Sequence, residues 1–243
     1  MDLMDRPDTV RLLNVRIDRV NLEKVRQFCR QALSGTGGKQ IVTLNGEIAL
    51  KAARLPALAA VINRADLVVA DSTNVLWASY YLGRPLPGRI PGVDLVKELA
   101  QLLSSTGGSV YLLGSRDDVA KQAALALKKQ FPNLHLAGFS SANPDDESVA
   151  SQIRRSGADL VLVAYGSPTQ ELWIDQYGPE TGAKLLVGVG GTFDMLAGRL
   201  RRAPRSWRVL HLEWLWRLIL EPRRLGRIFQ AVVVFPLKVI VGR

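Results

Sequence analysis

The sequence predicts an α/β protein: a mostly parallel sheet with helices on both faces, followed by a basic helical appendage. Three observations predict it. Short apolar runs alternate along the chain with helix-length stretches. The runs are rich in Val and Leu and nearly continuous, as strands buried on both faces are. Charge is uneven: residues 199–243 carry 11 Lys+Arg against Glu213 and Glu221, whereas residues 1–198 hold 21 basic and 20 acidic residues. This divides the chain into a near-neutral body, 1–198, and a basic, aromatic tail, 199–243.

Taken in order, the expected strands are QIVTL (40–44), LVVA (67–70), SVYLLG (109–114), LHLAGF (134–139), DLVLVAYG (159–166) and KLLVGVG (184–190). Helices are expected over 21–33, over 46–63 as two pieces split at Pro56, and over 73–82, 93–104, 117–130, 146–156 and 168–177. GRPLPGRIPG (83–92) is a Pro/Gly loop of the kind that carries function. From Trp207 the tail reads as helix, apolar almost all round with arginines inserted; Pro222 kinks or restarts it. Glu213, Arg217 and Glu221 are four apart and can pair along one face. Three tryptophans beside arginines suit a segment lying on an anionic bilayer; the alternative is a helix packed on its own core.

At 243 residues and 47% hydrophobic, the chain can bury a sizeable core. One cysteine, Cys29, excludes an internal disulfide and reads as a small core residue on a helix. The start, MDLMDRPDTVRLL, has neither a basic nor an apolar region of a signal peptide, and no run of 18 apolar residues marks a membrane span. Two histidines and one cysteine make no metal cluster, so neither a metal nor a cofactor is expected.

Ligands of such sheets bind outside the carboxyl ends of the strands. There the sequence places Thr43 to Glu47, Asp71 to Asn74, Gly114 to Arg116, Tyr165 to Glu171 and Gly188 to Asp194. Small, hydroxylated and glycine residues crowd one edge, where backbone can approach a phosphate. Thr43, Asn45, Ser115, Ser167 and Thr192 equally suit helix N-caps. Asp71 ends an apolar strand: it caps the following helix or acts as a base over the cleft.

The segments TLNGEIALKA, ADLVVADSTNVLWASYYLG, RIPGVDLV, GSPTQELW, GVGGTFDMLAG and HLEWLWRLILEPRRLGR together resemble the WecG/TagA/CpsF family of bacterial glycosyltransferases, in order and spacing, from about residue 10 to 228. The resemblance implies a Rossmann-like body with a membrane-associating appendage. It implies metal-free, inverting transfer from a UDP-sugar, N-acetylmannosamine or its uronic acid, to a polyprenyl-diphosphate-linked sugar for surface polysaccharide or teichoic acid. It places the enzyme peripherally on the cytoplasmic face of the plasma membrane. By the same resemblance Asp71 is the base and Arg89 stabilises the diphosphate leaving group. Thr43 and Asn45 lie at the reacting centre, Gln170 on the donor, and Arg217, Arg224 and Arg227 on the lipid diphosphate. The chain departs from the family pattern at Ser72, Gly46 and Thr169, which border the sugar pockets. The resemblance leaves open a self-associating form and a monomer dipping its appendage into the bilayer.

Two other classes are weighed. A nucleotide-binding oxidoreductase would need a Gly-rich turn after the first strand and an acidic residue for the ribose, and the sequence has neither. A nucleic-acid module would use the basic tail, but aromatic and aliphatic residues pack that tail as densely as arginines do.

Overall fold

The computed structural model describes residues 8–116 and 118–242. Residues 1–7, part of the start without a signal-peptide pattern, lie outside the described residues, as does the side chain of Arg224. An antiparallel hairpin, β1 (Thr9–Leu12) and β2 (Val15–Asp18), opens the fold. Then follow α1 (Leu22–Ser34), β3 (Lys39–Leu44), α2 (Gly46–Arg54), α3 (Pro56–Arg64), β4 (Leu67–Ala70), α4 (Thr73–Tyr81) and α5 (Gly92–Thr106). Next come β5 (Ser109–Gly114), α6 (Val119–Gln130), β6 (His135–Ser140), α7 (Ser148–Ser156), β7 (Leu160–Ala164), α8 (Thr169–Thr181), β8 (Leu185–Gly188) and α9 (Thr192–Leu196). The tail contributes α10 (Arg205–Val209), α11 (Glu213–Leu220), a 3-10 turn at Pro222–Arg224, α12 (Leu225–Phe229), a π-helical turn at Gln230–Val234 and α13 (Phe235–Val241).

Six strands pair in parallel in the order β4-β3-β8-β7-β5-β6. The fold is the expected Rossmann-like α/β sandwich. Strand alternation divides the core. Ile41, Leu67, Val69, Leu112, Leu162 and Val187 face α1, α5, α6 and α9. Val42, Leu44, Val68 and Ala70 face α2, α3, α4 and the hairpin, while Val161, Val163 and Leu186 face α7 and α8. Cys29 is buried on α1. The chain reverses direction across the sheet between β3, which leads to β4, and β8, which arrives from β7. That puts a crevice at the carboxyl ends of β3 and β8.

The hairpin is absent from the expected strands. Its apolar residues, Val10, Leu12, Val15 and Ile17, alternate with Arg11 and Arg16, so it carries a half-buried pattern rather than a continuous run. It docks through Asp18, which is buried, pairs with Arg16 and accepts from the Val68 amide at 2.7 Å. Asp18→Asn leaves this acceptor set incomplete beside a guanidinium, so a urea melt is expected to show a loss of about 1–3 kcal/mol; an unchanged midpoint would dissociate Asp18 from docking.

The tail is a series of short helical segments rather than one helix, and its end returns to the body. Phe235 and Val239 are buried among Val42, Ala49, Val75 and other residues of the hairpin-side core. Its outer surface leaves Val209, Leu210, Ile219, Leu225, Phe229, Leu237 and Val241 exposed. No described helix is long and apolar enough to cross a membrane.

Candidate active site

Asp71 follows β4 directly. Its amide donates to Leu44 O of the neighbouring strand (2.8 Å), and Ile90 N closes the returning loop on Ala70 O (2.6 Å). These bonds fix the carboxylate over the edge. Its Oδ1 accepts from Gly92 N at 2.7 Å. Helix α4 begins after Ser72, and Asp71 does not cap it; the carboxylate instead takes the first amide of α5. Asp71 is therefore tied across the cleft, not to its own helix.

Gly92 marks the centre of the site. A Cβ there would stand 3.2 Å from Thr192 Oγ1 and 3.9 Å from both Asp71 Oδ1 and Thr43 Oγ1. Three oxygens, from the end of β3, the turn after β4 and the start of α9, thus converge around a residue with no side chain. Thr43 donates to Gly188 O at 2.9 Å across the β3/β8 crevice, so it is not an N-cap. Asn45 is one: it caps α2, accepting from Ile48 N at 3.0 Å. Gln170 is 2% exposed, and its amide oxygen accepts from Gly166 N (3.2 Å) and Gly190 N (3.0 Å) while its Nε2 donates to Glu171 (2.8 Å). It clamps the loops after β7 and β8 together.

The tail supplies the charged wall. Arg89 donates to Glu213 of α11 at 2.8 Å. Arg202 grips Asp94 with both terminal nitrogens at 2.5 Å and has its Nε 3.8 Å from Glu213. Glu213 thus pairs with Arg89 of the body and Arg202 of the tail rather than with Arg217, its expected partner four residues on. Arg217 instead directs its positive field at Asp71. Arg227, largely exposed, meets both Glu47 oxygens at 3.1 Å; Glu47 also pairs with Lys51 at 2.9 Å, and Lys51 donates to Ser167 O at 2.7 Å. Arg89, Arg217 and Asp71 therefore form one group, while Arg227 of α12 rests on Glu47 of α2, the helix that Asn45 caps.

Burial is the largest influence on Asp71 and raises its carboxyl above the ordinary 3.8; Glu213 adds to the rise, while the Gly92 amide, Arg217 and Arg89 oppose it. At Glu47 burial also pushes upward, but Lys51 and Arg227 outweigh it and hold the carboxyl low. Two carboxylates on one edge thus have opposed tendencies, and the one raised by burial is the better proton acceptor.

A groove of about 290 Å³, lined by Arg89, Ile90, Pro91, Asp94 and Lys97, runs beside the site. A depression of about 360 Å³ between α1 and α5 contains none of the candidate residues, and burial pushes its Cys29 thiol up to about 12, which suits a packed side chain and not a nucleophile. Among the described residues no three His, Cys, Asp or Glu side chains are placed to share a metal ion. Sequence reasoning misses Arg202 and the cross-cleft roles of Gly92 and Glu213. Their partners, Asp94, Asp71 and Arg89, are distant in sequence or follow from the fold.

A parallel α/β sheet with this carboxylate and arginine cluster at its carboxyl edge suits a Rossmann-like glycosyltransferase. A sequence profile described as the Glycosyl transferase WecG/TagA/CpsF family matches residues 10–243, and the chain belongs to that family. It is similar to the N-acetylglucosaminyldiphosphoundecaprenol N-acetyl-beta-D-mannosaminyltransferase of Staphylococcus aureus strain MRSA252, at 32% identity over 246 residues, covering 98% of this chain and 96% of that protein. The protein of that name from strain NCTC 8325 / PS 47 matches to the same extent. Family membership sets aside the oxidoreductase and nucleic-acid readings.

Proposed function

We propose that this glycosyltransferase moves N-acetylmannosamine from a UDP-sugar to N-acetylglucosamine on a polyprenyl diphosphate, with inversion, in the assembly of a cell-surface polymer. The observation that carries this reading is the buried Asp71 carboxylate at the end of β4, held at Oδ1 by Gly92 and within the positive field of Arg217 and Arg89. The names of the Staphylococcus aureus relatives supply the transferred sugar and the lipid-diphosphate acceptor; the UDP donor rests on the family resemblance.

In one displacement, an acceptor hydroxyl attacks the anomeric carbon, its proton passes to Asp71, and the bond from that carbon to the UDP oxygen breaks. Oδ1 stays bonded to Gly92, so Oδ2 is the basic oxygen. Arg89 meets the negative charge that grows on the departing diphosphate, a role suited to a guanidinium fork. Thr43 and Thr192 border the reacting atoms, and Gln170 acts by fixing the loops that hold the donor. Arg217, Arg224 and Arg227 serve the lipid diphosphate. The exposed apolar side chains of α10 to α13, set among arginines, suit a peripheral seat on the anionic cytoplasmic leaflet, where that acceptor would be met.

The test is UDP release by purified protein with a short-chain polyprenyl-diphosphate-GlcNAc analogue and a panel of UDP-sugars. Release is expected with UDP-N-acetylmannosamine and only when the acceptor is present. Silence with every donor would overturn the reading. Because Asp71 must be ionised to accept a proton and its carboxyl is raised, the acidic limb of the pH–kcat profile is expected above pH 3.8. A limb at or below that value would remove Asp71 from the titration.

A further inference from the structure

The pairing of Glu213 has no place in the chemistry above, although it lies at the junction of tail and cleft. Its carboxylate receives Arg89 Nη1 at 2.8 Å through Oε2 and faces Arg202 Nε at 3.8 Å through Oε1. Both Arg89 and Glu213 side chains are 17% exposed, so the pair is shielded enough to hold one geometry. Arg202 is itself fixed by its two-pronged grip on Asp94, in the first turn of α5, the helix whose first amide holds Asp71. Trp216 Nε1 adds a bond to Arg201 O at 3.0 Å.

We infer that Glu213 is a positioning residue of the transferase: by bridging Arg89 and Arg202 it docks α11 on the cleft, orients the Arg89 fork and sets Arg217 toward Asp71. The geometry gives each part of this a reason. With Nη1 bonded to Glu213, the guanidinium is held from one side, which keeps its remaining donors for a diphosphate. Arg217 lies one turn beyond Glu213 on the same helix, so anchoring one fixes the other. The inference rests on the transferase reading for its kinetic consequence but not for the docking itself.

The experiment compares full-length wild type, Glu213→Gln and Glu213→Asp in two assays. The first is the rate of tryptic cleavage at exposed Arg201 and Arg205, which reports docking of the tail without any substrate. The second is UDP release with UDP-N-acetylmannosamine and the GlcNAc-lipid analogue. Glu213→Gln is expected to be nicked several times faster and to lose roughly ten- to a hundredfold in kcat, the cost of a small misplacement. KM for the UDP-sugar should shift less than kcat, because the leaving-group charge that Arg89 meets grows in the transition state. Glu213→Asp, which keeps the charge, is expected to recover part of both. Wild-type kcat in Glu213→Gln, or wild-type resistance to trypsin, would overturn the inference. If the wild type releases no UDP with any donor, the failure belongs to the proposed reaction, and the tryptic assay still decides the docking.

Discussion

Asp71→Asn is expected to lower kcat/KM by roughly 10²–10⁴-fold, the range a positioned base contributes, while leaving the protein folded. The substitution is nearly isosteric. Its carbonyl oxygen can keep the bond from Gly92 N, so the tie between β4 and α5 survives. What disappears is the oxygen able to take the acceptor proton. The sign of the stability effect follows from burial. Burial raises the Asp71 carboxyl, so stability is lost as pH rises from its ordinary 3.8 and the cost is complete above the raised value. At neutral pH the neutral amide removes the cost, and thermal melting is expected to be unchanged or slightly higher. UDP release and a melt on the same sample check both halves. A folded variant with wild-type turnover would end the base assignment and move the search to Glu47 or Asp194. Between those two, Glu47 is already held low by Lys51 and Arg227 and would be a poor base.

Much of this could be read from the chain, for identifiable reasons. Five of the six sheet strands, β3, β4, β5, β7 and β8, are almost wholly buried apolar runs because helices cover both faces, and such runs stand out without any partner in view; the edge strand β6 is only partly buried. The carboxyl-edge residues could be picked because the edge of a parallel sheet is set by strand direction alone. The hairpin carries the alternating pattern of a half-buried strand and is missed because only continuous apolar runs are read as strands. Nor could the sequence show that Asp71 reaches Gly92, 21 positions on, instead of its own helix. Spacing of four suggested Glu213 with Arg217, but the helix pairs Glu213 with Arg89, 124 positions away. Local rules describe isolated helices, and a tertiary contact between shielded charges overrides them. The tail was divided from the body by charge, and charge says nothing of Phe235, which is apolar and ends up in the core.

That residue gives the second large expectation. Phe235→Ala is expected to cost about 3–5 kcal/mol, as emptying a full aromatic site does, and to lower transferase activity with it. Phe235 is fully buried, and the body is shaped around it. A Cβ at Gly46 would stand 2.9 Å from the Phe235 ring and 2.6 Å from Asn74 Nδ2, so glycine at this first position of α2 makes room for both. Asn74 then donates to Ala231 O at 2.6 Å, tying the π-helical turn to α4. The ring therefore anchors the far end of the tail, as the Arg89–Glu213 pair anchors the near end. Between the anchors lie Arg217 and Arg227. Loss of the ring should free the segment that carries them, so that activity falls further than the fraction unfolded at the assay temperature accounts for. Urea melts with UDP release at equal folded fraction separate the two effects. Phe235→Leu, which keeps most of the volume, is expected to recover most of both. Full activity per folded molecule in Phe235→Ala would mean that the near anchor alone holds the arginines, and would assign the buried ring to stability only.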